Sequence, residues 1–284
     1  MSAAVSIDEA IARVSHHLDR RPLLVCTDFD GTLSTIVMDP WAAAILPLGR
    51  VALRRLAAMP GVSVVVLSGR TAWDVAARVR VGNVIYLGNH GMERGFLSRR
   101  GRPERLHVSV IGASPAEAAL AERLADEVAA RVGQPWLIVE RKPPTVAFHY
   151  RQAPDVEAAS RQVRAAVDEL DPGGLLERFP GRRILELRPP GAIGKGEAFR
   201  ELLEEMRPAS VFMLGDDISD ALAFAVLRAE REAGRTDGVA VAIQARAEVP
   251  AQVSANADMV LGSPRDAARF LSALARRLAG VGAA

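Results

Sequence analysis

The stretch Leu23-Leu24-Val25-Cys26-Thr27-Asp28-Phe29-Asp30-Gly31-Thr32-Leu33 constrains this chain more than any other. A short apolar run of strand-forming type ends in two carboxylates spaced by one residue, and a glycine then turns the chain. In an open α/β sheet, ligands sit beyond the carboxyl ends of strands, so Asp28 and Asp30 fall where chemistry is usually found. Two residues apart, they would share one face of a regular strand. Two carboxylates on one face repel each other unless a cation or a shared proton intervenes. The competing reading is a plain turn, since Asp, Gly and Thr all favour turns. The rest of the chain decides between them.

Downstream, Pro47 to Met59 reads as a helix through Leu48, Val51, Leu53, Leu56 and Ala57. Val62 to Leu67 reads as a buried strand closing in Ser68-Gly69-Arg70. Trp73 to Val79 reads as a helix, and Val84 to Leu87 as a strand closing in Gly88-Asn89-His90-Gly91. Strand, helix, strand, helix, strand implies parallel βαβ units with their polar closing residues along one rim. The rhythm then changes. Phe96 to Val108 reads as a hairpin or loop, and Ser114 to Val132 as a helix started by Ser114-Pro115 with Glu117. Trp136 to Glu140 and Thr145 to Arg151 read as strands joined at Arg141-Lys142-Pro143-Pro144. A helix is expected over Asp155 to Leu170, and then a strand pair, Leu175 to Phe179 and Arg183 to Leu187, around Pro180-Gly181. The α/β rhythm resumes where Gly194-Lys195-Gly196 opens a helix to Met206. Val211 to Leu214 is a strand ending in Gly215-Asp216-Asp217-Ile218-Ser219-Asp220. A helix from Ala221 to Arg231, strands at Gly238 to Ile243 and Ala257 to Leu261, and a terminal helix Pro264 to Leu278 complete the chain. The expected fold class is α/β: a doubly wound, Rossmann-like parallel-sheet core over 1–111 and 189–284, interrupted by an inserted α+β cap over 112–188.

Composition excludes several classes. A net charge of +2 over 284 residues makes no nucleic-acid footprint. No segment approaches the roughly 18 apolar residues of a membrane span. Ser6 to Leu18 carries Asp8, Glu9 and Arg13 and reads as an amphipathic helix with a Ser6/Glu9 capping box, not as a signal peptide. The single cysteine, Cys26, lies in the apolar run and fits a reducing compartment, so a cytoplasmic protein is expected. Of the 36 basic residues only Lys142 and Lys195 are lysines. Where lysine survives such an arginine bias, either chance has kept it or a compact ammonium is needed that a guanidinium cannot replace.

The polar residues at the strand ends are Asp28, Asp30, Asp216, Asp217, Asp220, Ser68 and Lys195. So many carboxylates on one rim repel, and a hard divalent cation is the expected remedy; oxygen-only ligands favour Mg²⁺. The glycine turn after Asp28 offers backbone N–H groups to an anion. Together these residues suit phosphoryl transfer, with an aspartate available as nucleophile. The Gly191 to Gly196 stretch is no P-loop, because its spacing is short and Gly196 replaces the hydroxyl residue after the lysine.

Asp-Phe-Asp-Gly-Thr-Leu, Ser68, Lys195 and Gly-Asp-Asp-x-x-Asp, in this order, resemble the four motifs of the haloacid-dehalogenase-like phosphatases. Ser68-Gly69-Arg70, Gly88-Asn89-His90-Gly91, Glu140-Arg141-Lys142, His149-Tyr150-Arg151, Leu185-Glu186-Leu187-Arg188-Pro189, Lys195-Gly196 and Gly215-Asp216-Asp217 narrow the resemblance to the trehalose-6-phosphate phosphatases. That resemblance implies Asp28 as nucleophile and Asp30 as acid and base. It implies Mg²⁺ on Asp216, Asp28 and the Asp30 carbonyl, with Asp220 or Asp217 supporting. It places Glu140, Lys142 and Glu186 on the sugar hydroxyls, and Arg70, Asn89 and His90 among the substrate-binding residues. His90 reads equally as a structural histidine between two glycines, and His149 and Tyr150 as cap packing. The implied substrate is trehalose 6-phosphate. Another sugar phosphate, such as sucrose 6-phosphate or a glycosylated phosphoglycerate, or a non-catalytic sugar-phosphate sensor, are the alternatives. Two departures stand out. The last motif usually runs on as Thr-Asp-Glu-Asp, where this chain has Ser219-Asp220-Ala221-Leu222. The tryptophan and acid often found just before the lysine are replaced by Ala192-Ile193-Gly194.

Overall fold

The computed structural model describes residues 4–37, 39–181, 183–247 and 249–281. In chain order its elements are α1 (Ile7–Val14), β1 (Leu23–Thr27), α2 (Pro47–Leu56), β2 (Val62–Leu67), α3 (Ala72–Val79), β3 (Val84–Gly88), β4 (Glu93–Leu97) and β5 (Val108–Val110). Then come α4 (Pro115–Val132), β6 (Ile138–Lys142), β7 (Thr145–His149), α5 (Val156–Leu170), β8 (Glu177–Gly181) and β9 (Ile184–Arg188). The chain ends with α6 (Lys195–Met206), β10 (Ser210–Gly215), α7 (Ile218–Glu232), β11 (Gly238–Ile243), α8 (Ala251–Asn256), β12 (Met259–Leu261) and α9 (Pro264–Val281). Two compact units result, one from 1–109 and 193–284 and one from 110–192.

In the first unit the strands are continuous apolar runs because both faces of the sheet are covered. Alternate residues of β1 prove the point. Leu23 and Val25 pack with α1, α2, α3 and α9 on one side, while Leu24 and Cys26 pack with α6 and α7 on the other. Among the described residues the sheet order is β12-β11-β10-β1-β2-β3-β4-β5. β1 pairs in parallel with both β10 and β2, β10 with β11, β11 with β12, and β2 with β3. The chain winds outward from β1 in one direction through β2 and β3, and from β10 in the other through β11 and β12. The crevice between β1 and β10 is therefore the topological switch point. No described helix is long and apolar enough to cross a membrane.

The second unit is an antiparallel sheet of order β6-β7-β9-β8 backed by α4 and α5. Val146, Phe148, Leu185 and Leu187 point to the helices and are buried with Leu124, Val128, Val163 and Val167. By the two-residue period of strands, Glu140, Lys142, Ala147, His149, Glu186 and Arg188 share the opposite face. The helix α4 starts in a full capping box between Ser114 and Glu117.

Several elements depart from the sequence reading. Glu93–Leu97 is an antiparallel strand on β3 with β5 on its other side, and the sequence reading has no strand over Glu93 to Gly95. Leu48 and Val51 lie on α2 but are exposed, and Gly49, Ala52, Leu53 and Leu56 make its buried face. Arg141 and Lys142 belong to β6 instead of the turn after it, and Pro180-Gly181 to β8. The first helix ends at Val14 and tightens into a 3₁₀ turn, Ser15–His17. Its cap is one-sided, since Ser6 accepts from the Glu9 amide without a return bond.

Candidate active site

The site in the first unit is built at the carboxyl ends of β1, β2, β3 and β10. The Asp28 amide donates to the Leu214 carbonyl at 2.9 Å, which extends the β1–β10 ladder by one residue and fixes where the first carboxylate begins. Asp28 and Asp216 stand at the ends of the two strands that flank the switch point and are both buried. Gly31 turns the chain between them with φ +81°, and a Cβ there would lie 2.3 Å from Asp216 Oδ2. Only glycine fits both the conformation and the close approach.

Asp220 was expected in the loop after β10; it lies instead in the first turn of α7, fully buried. Its Oδ2 accepts from the amides of Asp216 (3.0 Å) and Asp217 (3.1 Å), while Asp217 caps the helix by accepting from the Asp220 amide at 3.1 Å. This reciprocal capping box spends one carboxylate oxygen on backbone. The other, Oδ1, accepts from Lys195 Nζ at 2.8 Å, and the same ammonium donates to Asp28 Oδ1 at 2.7 Å. Lys195 is itself buried, in the first turn of α6. Asp217 is exposed and takes a further hydrogen bond from Ser219 Oγ at 2.7 Å.

Asp28, Asp216 and Asp220 each bring a carboxylate oxygen within 4.8 Å of the others. Three buried carboxylates against one ammonium leave two negative charges uncompensated. Burial, opposed by the Lys195 ammonium and reinforced by Asp216 and Asp217, pushes the Asp28 carboxyl up to about 7. Burial together with Asp220 and Asp217 pushes Asp216 up to about 8. Asp220 is likewise raised, by burial first. Lys195 is held well above its ordinary value by Asp220 and Asp28, although burial disfavours its charge. Among the described residues nothing donates a hydrogen bond to the Asp216 carboxylate. An all-oxygen donor set with excess negative charge and a carboxylate without a donor suits a hard divalent cation.

The remaining residues of this rim are distributed as follows. Ser68 is buried after β2, and its Oγ accepts from the Arg70 amide at 3.1 Å. Asn89 and His90, both with positive φ, follow β3; the His90 amide donates to the Ser68 carbonyl at 2.9 Å and the Asn89 amide to the Arg70 carbonyl at 2.6 Å. Arg70 lies across Asp30, with Nε on Oδ2 at 2.6 Å and Nη2 on Oδ1 at 2.9 Å, and a third bond from Nη1 to Asp74 at 3.0 Å. This clamp on Asp30 was not expected, and no sequence spacing signals it. Glu93 is another residue the motifs do not mark. Buried, it accepts from the Ala72 amide at 2.7 Å and ties β4 to the start of α3.

In the second unit the structure brings Glu140, Lys142 and Glu186 onto one sheet face. Lys142 and Glu186 are buried, with Nζ on Oε1 at 2.8 Å. Glu186 Oε2 accepts from Arg188 at 2.7 Å, and Glu140 pairs with His149 Nε2 at 2.9 Å. Burial works against both charges. Even so, His149 and Lys142 hold the Glu140 carboxyl below its usual range, and Glu186 and Glu140 hold Lys142 above its own. Tyr150 packs in the hydrophobic core of this unit.

A parallel sheet with a carboxylate-rich switch point, an ordered Asp-x-Asp-Gly-Thr turn and a buried lysine bridging two carboxylates defines the haloacid-dehalogenase-like class. In keeping with that, a solved haloacid dehalogenase-like hydrolase from Bacteroides thetaiotaomicron superimposes with a TM-score of 0.59 at 18% identity, covering 89% of this chain and 98% of that one. The C-terminal domain of the C. albicans trehalose-6-phosphate phosphatase superimposes with a TM-score of 0.73 at 22% identity, over 97% of this chain and 98% of that one. The family model for trehalose-phosphatase matches residues 26–259. A trehalose-phosphate phosphatase of Mycobacterium avium (strain 104) is 34% identical over 283 residues, 98% of this chain and 68% of its own length. The chain belongs to the trehalose-phosphatase family.

Proposed function

We propose that this chain is a Mg²⁺-dependent phosphomonoesterase that hydrolyses trehalose 6-phosphate to trehalose and phosphate through an aspartyl-phosphate. The observation that carries the reading is the Asp28–Lys195–Asp220 bridge beside Asp216 at the switch point. Lys195 holds Asp28 by Oδ1 alone, which orients the carboxylate and leaves Oδ2 for in-line attack on phosphorus. Asp28 and Asp216 would hold the cation together with the Asp30 carbonyl. Asp220, whose oxygens are already given to Lys195 and to two amides, fixes the lysine, and Asp217 caps the helix behind it. When bound, Mg²⁺ would neutralise charge on the carboxylates and on the phosphoryl oxygens.

Asp30 protonates the departing sugar oxygen and afterwards deprotonates water, work that contributes typically about 10²–10⁴-fold. To do so it must first leave Arg70, because both of its oxygens accept from the guanidinium and neither is free to meet the leaving oxygen. Ser68 and Lys195 meet the phosphoryl oxygens. Glu140, Lys142 and Glu186 read the sugar hydroxyls; their support is that three charged side chains share one sheet face, with Lys142 on Glu186 and Glu140 on His149. Arg70, Asn89 and His90 line the substrate side of the rim. A cytoplasmic setting belongs to the proposal and is supported by the single, buried thiol Cys26.

The test is phosphate release from a panel of sugar phosphates, with Mg²⁺ and with a chelator. The expected result is turnover of trehalose 6-phosphate above sucrose 6-phosphate and glucose 6-phosphate, lost on chelation. Equal rates across the panel, or rates unchanged by the chelator, would refute the substrate or the cation respectively.

A further inference from the structure

A second cluster lies at the opposite edge of the same sheet. His16 and His17 form the 3₁₀ turn after α1, and Asp237 immediately precedes β11, at the amino ends of the parallel strands. Asp28 and Asp216 lie at their carboxyl ends, so the two clusters are separated by the length of a strand. One ligand atom from each of His16, His17 and Asp237 lies within 4.8 Å of the others.

The detail that needs a reason is His17. It is 3% exposed, and its Nδ1 is buried without a hydrogen-bond partner among the described residues. Asp237 Oδ2 is 3.6 Å from this nitrogen, too long for a hydrogen bond. Two ligands of one tetrahedral ion, each about 2.0–2.1 Å from it, are about 3.3–3.4 Å apart, which this gap nearly matches. The rest of the cluster is held as a metal ligand set would be. Asp237 Oδ1 accepts from the Gly238 amide at 2.8 Å, which fixes its carboxylate. The His17 ring stands edge-on to Phe212 with centroids 6.1 Å apart, and His16 lies beside it at 3.9 Å. Burial, with Asp237 opposing and His16, Arg20 and Arg231 adding, lowers the His17 imidazole below its ordinary value and favours the neutral, ligating form.

A cation already leans on this cluster. Arg20 Nη1 reaches the same Asp237 Oδ2 at 2.9 Å, from a side chain that is half exposed. Such a pair opens into water at little cost. Arg231 is engaged elsewhere, on Asp258 at 2.8 Å.

We propose that His16, His17 and Asp237 form a binding site for a borderline divalent transition-metal ion of the Zn²⁺ type, in competition with the Arg20 guanidinium. Two imidazoles and one carboxylate select such an ion over Mg²⁺, and three protein ligands leave a fourth position for water. Bound metal would staple the turn after α1 to the turn before β11, and so stabilise the folded chain by mass action.

The test uses tag-free protein with its carboxylate site saturated by excess Mg²⁺, titrated with Co²⁺ and with Zn²⁺. The expected result is one Co²⁺ per chain with the visible absorption of a four-coordinate, imidazole-bound ion, and a rise in Tm with Zn²⁺. His17 is core, so the informative variants are those of its exposed and half-exposed neighbours. His16→Asn and Asp237→Asn should each weaken binding by roughly tenfold or more. Arg20→Ala should tighten it, an effect that a purely structural role for the cluster would not produce. Absence of Co²⁺ binding to the Mg²⁺-loaded protein, equal affinities in wild type and His16→Asn, or weaker binding in Arg20→Ala would each overturn the proposal. Phosphate release plays no part in the readout, so this result and the fate of the phosphatase reading are independent.

Discussion

Lys195 carries more of the site than any other residue. It is buried between Asp28 and Asp220, and each of these carboxylates would be an uncompensated buried charge without it. Breaking such a pair from one side typically costs about 3–5 kcal/mol. Lys195→Met should therefore lower the metal-free stability by roughly that amount as well as abolish turnover; urea unfolding at neutral pH measures it, and a loss below about 1 kcal/mol would contradict the bridge. Asp30 presents the opposite case, a carboxylate held ready but clamped by Arg70. If it protonates the leaving oxygen, Asp30→Asn should lose less on p-nitrophenyl phosphate, whose leaving group needs little protonation, than on trehalose 6-phosphate. Equal losses on the two substrates, with cleavage rate-limiting, would remove Asp30 from that role. The aspartates and the lysine are legible in sequence because they close apolar strands or open a helix. The Arg70 clamp is not, since it joins residues 40 apart through the fold.

At the level of elements, reading worked where a run was uniformly apolar and failed where polar residues interrupt a strand. Val211 to Leu214 shows the first case, with both faces buried. Glu93-Arg94-Gly95-Phe96-Leu97 shows the second: β4 alternates buried Glu93, Gly95 and Leu97 with half-exposed Arg94 and exposed Phe96, and its pairing between β3 and β5 makes it a strand. The sequence puts Asp220 in the polar run that closes the strand, just ahead of the helix. The capping box with Asp217 explains why it belongs to α7. Gly215 makes room for that box, because a Cβ there would lie 2.3 Å from Asp220 Cγ. Gly215→Ala should accordingly displace Asp220 from Lys195 and depress kcat on every substrate alike. A change confined to KM would show that Asp220 had kept its place. The sheet face of the second unit predicts a different signature. Glu186→Ala should lose at least about tenfold in kcat/KM on trehalose 6-phosphate, since a hydrogen bond to a charged group is worth roughly 1.5–3 kcal/mol. It should hydrolyse p-nitrophenyl phosphate nearly as before. Parallel losses would mean that Glu186 only holds Lys142 and Arg188 in place.

For the whole molecule, the carboxylate site trades stability for charge. Asp28 and Asp216 have folded values near 7 and 8, above the ordinary range of an unfolded carboxyl. Their contribution is therefore fully present below about pH 4 and is lost as pH rises through those values. The metal-free protein should lose Tm between about pH 5 and 8, and Mg²⁺ should reverse the trend by replacing the protons. A metal-free Tm that climbs across this window would mean that the cluster is not undercompensated. The central claim remains that Asp28, held by Lys195, is the nucleophile, and its most direct test is phosphate release from trehalose 6-phosphate by wild type and Asp28→Asn in the presence of Mg²⁺. The substitution keeps the shape and removes the attacking charge. Turnover should fall by roughly four orders of magnitude or more with the circular dichroism unchanged, whereas a variant that stays folded and within about tenfold of wild type would contradict the account.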